Sequence, residues 1–235
     1  MRLDLLIISI SPSIAFLIWI YLKDKYEKEP IKYLINLFIL GTLLSIPAIA
    51  IEDILMNVTI SSKYLNIAYI AFIVAALTEE LLKAIVLISH SVKSKYYTEK
   101  LDGIVYSIFI TLGFATIENI IYIFYEVYLN IFEIGLTRAI ISIPAHIMFA
   151  ITMGYYLSMY KFNQEEKKYK YMLKMILIPI FLHGVFDFIL MIKTKWSTIV
   201  FIIYLLYLWK ISLDKLDKYT DYARKRFIRL RKRKK

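Results

Sequence analysis

Residues 75–89 read AALTEELLKAIVLIS. Without Glu79, Glu80 and Lys83 the stretch has the composition of a membrane-spanning helix. With them it carries three formal charges, each costing roughly 2.5–3.5 kcal/mol at the centre of a bilayer on insertion scales. Spans keep such groups where they face one another or a water-filled cavity. The stretch therefore implies a helical bundle closed around a polar interior. The rest of the chain agrees: it has 235 residues, 60% of them hydrophobic, and a mean hydropathy of +0.61. Soluble domains sit near about 45–50% apolar. There is no cysteine, which excludes a disulfide framework, a thiolate nucleophile and a thiolate metal site. Only six Gly and five Pro occur, with no repeat, low-complexity segment or linker, so one helical domain is the economical reading.

Seven runs free or nearly free of charge fall at 5–22, 33–51, 65–89, 103–125, 139–160, 171–192 and 196–213. A bilayer core of about 30 Å takes roughly 20 helical residues. The first run, LLIISISPSIAFLIWIYL, has spanning length and no small-residue cleavage site behind it, so it reads as a retained helix rather than a signal peptide. The last is the shortest and spans if Lys210 snorkels to the interface. The fold expected is an all-α polytopic membrane bundle over 1–213 with a basic tail at 214–235. Basic residues divide 24 to 5 between alternate loops. The positive-inside rule then puts the N-terminus outside and the tail in the cytoplasm. The tail, ending YTDYARKRFIRLRKRKK, reads as a segment held by anionic lipid headgroups rather than a nucleic-acid binder.

Four acids lie away from loops and helix ends: Glu79, Glu80, Glu118 and Asp187. Lys83, Asn119, His146 and His183 share their depth. All fall on the third to sixth runs, while the first, second and seventh read as scaffold. Glu79 and Lys83 are spaced i,i+4 and Glu80 and Lys83 i,i+3, both reachable on one helix face. His183 and Asp187 stack one turn apart. Ser142, His146, Ala150 and Gly154 form a stripe of small residues broken by the imidazole, as where another helix approaches closely. Pro144 and Pro179 lie within a turn of His146 and His183 and are expected to kink their helices. At about 1.5 Å per residue, Glu118, Asp187 and His146 lie about 10 Å from the outer face, His183 about 15 Å and the Glu79–Glu80 pair about 20 Å.

Such a cavity holds the parts for hydrolysing an amide bond without a covalent nucleophile. A carboxylate takes a proton from water, and histidine relays it or hydrogen-bonds an oxyanion. Asp187 is placed to orient His183, and Asn119 offers a neutral donor to developing negative charge. Pairing geometry favours Glu79 as the partner of Lys83, leaving Glu80 as base.

The same residues resemble a known family. EELLK (Glu79, Glu80, Lys83), FATIEN (Phe114, Glu118, Asn119) and HGVFD (His183, Asp187) match EExxK, FxxxEN and HxxxD in order. That set resembles the PrsW intramembrane proteases, with distant similarity to the CAAX-prenyl endopeptidases. PAHIMFAITMG (Pro144, His146, Gly154) is similar to the family's PxH segment. The likeness covers residues 75–190, and beyond it only hydropathy agrees. It implies a multi-pass protease of a bacterial plasma membrane that makes the site-1 cut in a single-pass anti-sigma factor as part of a stress response. It also implies a catalytic set of Glu79, Glu80, Glu118 and His183, supported by Lys83, Asn119, His146 and Asp187. Motif order makes the first Glu of the pair the base. For the mechanism, a metal-independent hydrolase is favoured, since no HExxH pair is present. Zinc on His146, His183 and Glu118 is the alternative. A transporter with a proton relay and a non-catalytic helix-binding protein remain as rival classes.

Overall fold

A computed structural model describes residues 3–125, 131–163 and 167–233. Arg2, Lys234 and Lys235, all counted in the charge balance, lie outside them. Every element among the described residues is helical. They are α1 (Leu3–Lys23), α2 (Ile31–Met56), α3 (Lys63–Tyr69), a π-helical segment (Ile70–Leu77), α4 (Thr78–Ser91), α5 (Lys100–Tyr125), α6 (Ile131–Thr137), a second π-helical segment (Arg138–Ser142), α7 (Ile143–Phe162), α8 (Lys168–Ile192) and α9 (Ser197–Arg233). Six of the seven apolar runs fall wholly within helix, and the seventh begins one residue before α9.

Among the described residues, five helices are long and apolar enough to cross a membrane: 4–23, 31–56, 100–124, 135–162 and 168–192. The helical runs at 63–91 and 197–233 carry more charge. Helices α5 and α7 form the centre, with α1 and α2 packed on α5, α8 on α7, α9 against both, and the first π segment on α8. The outer faces of α1, α2 and α9 expose Ile7, Ile14, Ile18, Ile39, Leu43, Ile46, Ile203 and Leu206, as lipid contact requires. Lipid is as apolar as these side chains, so close packing rather than water exclusion must join the central helices. The small-residue stripe of α7 supplies it. A Cβ on Gly154 would collide with the carbonyl oxygen of Gly103 on α5, and one on Gly103 with Ser158 and Tyr97. Gly154→Ala should therefore force the two central helices apart and cost about 1–3 kcal/mol of stability, read as a lowered melting temperature in detergent.

Two local expectations change. Arg138, counted in an outer loop, lies in a continuous helical run from Ile131 to Phe162 and is 9% exposed. Pro144 falls at a change of winding rather than in regular helix: inside that same run, it occupies the first turn of α7 directly after the π segment, where the i to i−4 ladder is already interrupted. Pro179 does lie inside α8.

Helix α9 continues through the boundary expected at 213. At 1.5 Å per residue it is about 55 Å long, beyond what a bilayer core needs. Its second half packs along α7: Lys215 donates to Thr152 Oγ1 at 2.8 Å and Tyr219 to the carbonyl of Tyr155 at 3.2 Å. Lys23 pairs with Asp217 at 3.0 Å, and Arg226 pairs with Glu27 and with Glu99 at 3.3 Å. Part of the basic charge assigned to lipid thus meets protein partners. In the loop after α1, burial pushes the Asp24 carboxyl up to about 7, with Glu99 adding to the effect.

Candidate active site

Helix α4 carries both glutamates of its pair inward: Glu79 is 7% exposed, while Glu80 and Lys83 are at 0%. The Lys83 ammonium donates to Glu80 Oε1 at 2.8 Å and to Glu79 Oε2 at 3.0 Å. It lies 4.3 Å from the centre of the Phe114 ring, a cation–π contact that covers its remaining side. Pairing therefore does not single out Glu79. One lysine holds two carboxylates, and that makes three buried charges tolerable at this depth.

From α8, His183 reaches the same place. Its Nδ1 is 3.1 Å from Glu80 Oε1 and its Nε2 3.2 Å from Asp187 Oδ2. Asp187 thus stands where a histidine-orienting acid is expected. The ring of Phe149 stacks on the imidazole at 4.9 Å, fixing its plane. His146, at the start of α7, stands edge-on to His183 with ring centres 5.6 Å apart. Its Nε2 is 2.8 Å from Glu118 Oε2.

Arg138, which carries no motif, holds the other oxygen of Glu118: Nη2 lies 2.9 Å from Oε1. Its guanidinium stacks 4.1 Å from the Tyr122 ring and its Nε donates to Asn119 Oδ1 at 2.6 Å. Arg138 and His146 are eight residues apart, a spacing that sets them about 80° apart on an α-helix. The π segment at 138–142 winds more widely and removes much of that angle, so both side chains meet one carboxylate. Only a phase argument through the π turn could have found Arg138.

Asn119 departs from expectation. It is fully buried, and its amide donates to the carbonyl of Ser9 on α1 at 2.6 Å. It ties α1 to Arg138 rather than facing the cavity, because neighbouring helical residues point about 100° apart. Helices α1 and α2, read as scaffold, therefore both contribute. Ser9 supplies a carbonyl, and α2 places Glu52 in the cavity wall.

The cavity has a volume of about 270 Å³ and is lined by Glu79, Glu118, His146, His183 and Asp187, together with Glu52 and Arg138. Glu80, Lys83 and Asn119 lie behind that lining. The late turns of α2, α5 and α8 and the early turns of the 131–162 run form the wall, so the cavity sits toward that one end of the bundle. Two groups of donors lie within 4.8 Å of one another: Glu79 with Glu80 and His183, and Glu79 with Glu118 and His146. Neither is the expected set of His146, His183 and Glu118. The histidines fall in different groups, and Glu79 is common to both. These buried nitrogen and carboxylate oxygen donors suit a zinc-like cation, and the buried, unpartnered Glu80 Oε2 and His146 Nδ1 leave coordinating capacity free. The residues fit a metal.

Residues 29–211 match the family described as "PrsW family intramembrane metalloprotease". Protease PrsW of Clostridioides difficile is 50% identical over 100% of both chains. That of Geobacillus kaustophilus is 36% identical over 92% of each. That of Bacillus subtilis is 31% identical, covering 89% of this chain and 92% of its own. No solved structure matches.

Proposed function

Because the chain belongs to the PrsW family of intramembrane metalloproteases, we propose that its cavity is the proteolytic centre, and that it makes the outer, first cut in a single-pass anti-sigma factor. The protein is a multi-pass intramembrane protease of a bacterial membrane, so the transporter and helix-binding alternatives fall away. Seven spans with the N-terminus outside are the arrangement that the basic-residue asymmetry favours. The end of the bundle that holds the cavity then faces the extracytoplasmic side, where such a cut is made. One observation carries the reading: side chains from α4, α5, α7 and α8, far apart in sequence, line a single cavity.

Residue roles follow from position. Glu79 lines the cavity and receives a proton from the attacking water. Glu80, fully buried, holds Lys83 and His183 in place. His183 is held at Nδ1 by Glu80 and at Nε2 by Asp187, and its Nε2–H is the donor that the scissile carbonyl oxygen would share with Asp187 as it becomes an oxyanion. The proton taken by Glu79 passes to the leaving amine. Arg138 holds one oxygen of Glu118 and leaves the other aimed at His146. With zinc bound, the form favoured by the family's description, Glu79 would be a ligand instead of the base, together with Glu80 and His183 or with Glu118 and His146. When bound, the metal would supply a more acidic water and a polarised carbonyl.

The test co-expresses the protein with membrane-anchored anti-sigma factors and looks for a shortened product. Purified protein is expected to retain metal by elemental analysis, and chelation should remove both metal and cleavage until zinc is restored. Cleavage persisting in metal-free protein would return the mechanism to glutamate and histidine alone. The absence of any cut anti-sigma factor would overturn the substrate class.

A further inference from the structure

Of the acids in the cavity wall, Glu79 is paired with Lys83 behind it, Glu118 with Arg138 and His146, and Asp187 with His183. Glu52 is the exception. No hydrogen bond or ion pair engages it among the described residues, and its Oε1 is buried without a partner. It shares the cavity wall with two other acids, Glu79 and Glu118. It belongs to neither donor group around Glu79. It lies four residues before the end of α2, about 6 Å in along the helix axis, on the end of the bundle toward which the cavity sits.

We propose that Glu52 forms a subsite for a cationic side chain, lysine or arginine, carried by the substrate beside the bond to be cut. The inference rests on the protease reading and adds to it a preference in substrate sequence. A cavity of about 270 Å³ has no room for an intact helix about 10 Å across. What enters is therefore an unwound segment with one or two side chains. An unpaired carboxylate in a wall of low dielectric is poorly solvated, and a cation brought in by the substrate completes the pair and its hydrogen bonds. An acidic substrate side chain would meet Glu52, Glu79 and Glu118 together and be rejected, so the same residue selects for one charge and against the other.

The test uses the full chain in detergent and three acetylated single-span peptides, identical except for one residue just outside the apolar stretch: lysine, norleucine or glutamate. Binding is read by fluorescence anisotropy. The lysine peptide is expected to bind about tenfold more tightly than the norleucine peptide. Glu52→Gln should equalise the two, and Glu52→Lys should reverse the order in favour of the glutamate peptide, a gain that a misfolded variant could not show. No lysine preference in the unmodified protein, or a preference surviving Glu52→Gln, overturns the subsite. Tighter binding of the norleucine peptide once its amino terminus is freed, with no lysine preference among the acetylated peptides, overturns the side-chain assignment and transfers the site to the amine of the cut product. The series is repeated in Glu79→Gln, where no cutting is expected. Peptide preference and proteolysis are thereby read separately, and the failure of one leaves the other standing.

Discussion

Glu79→Gln should leave a folded, membrane-inserted protein that no longer cuts its substrate. Glu79 is the member of the glutamate pair that lines the cavity, and it is shared by both potential metal-binding groups. The amide keeps the size of the side chain but accepts no proton and is a poor metal ligand, so whichever mechanism operates, the step it serves is lost. A positioned general base contributes about 10²–10⁴ in rate, and cleavage should fall by at least that factor. The fold survives because Lys83 keeps its shorter contact, 2.8 Å to Glu80. The measurement is the ratio of cut to uncut substrate in membranes, normalised to the amount of protease. Activity within a few-fold of the parent would remove Glu79 from the centre of the mechanism. Glu79→Asp is the companion variant: it retains the charge but withdraws it by one methylene, and should restore little.

Lys83→Met should act on the fold first. Its ammonium is fully buried between two carboxylates and under the Phe114 ring. Methionine matches the stem in volume but leaves Glu79 and Glu80 facing each other in an interior that cannot solvate them. Removing one partner of a buried ion pair costs about 3–5 kcal/mol, enough to lower the amount of folded protein and its melting temperature sharply. The double variant Lys83→Met with Glu80→Gln removes one of the stranded charges and should recover a large part of that loss while remaining inactive. If Lys83→Met melted as the parent does, the triad would not be an ionised buried network, and the electrostatic account of the site would fail with it.

The charges of the EELLK stretch were legible because a bilayer makes each of them conspicuous. For the same reason His146, His183, Glu118 and Asp187 could be gathered into one site before any coordinates, and the cavity contains them all. Arg138 and Glu52 escaped because each falls one residue outside an apolar run, 139–160 and 33–51, where a charge explains itself as interfacial. Asn119 was assigned to the reaction on its place beside Glu118, but adjacent helical residues look in different directions, and its amide is bonded to α1. The tail read as free and lipid-bound because composition reports charge but not the partners, such as Thr152 and Glu99, that receive it.

The sequence by itself determined a helical membrane protein, and which of its spans carry polar groups inward. The cost of a charge in hydrocarbon is a property of the residue and its depth, and both can be counted along the chain. Only the tertiary structure decided that Glu79 rather than Glu80 meets the cavity, that Arg138 and His146 divide the oxygens of Glu118, and that Glu52 is left unpaired. Those outcomes depend on the rotation and approach of helices distant in sequence. That rotation is altered by two π turns, a change of winding that leaves no mark in hydropathy.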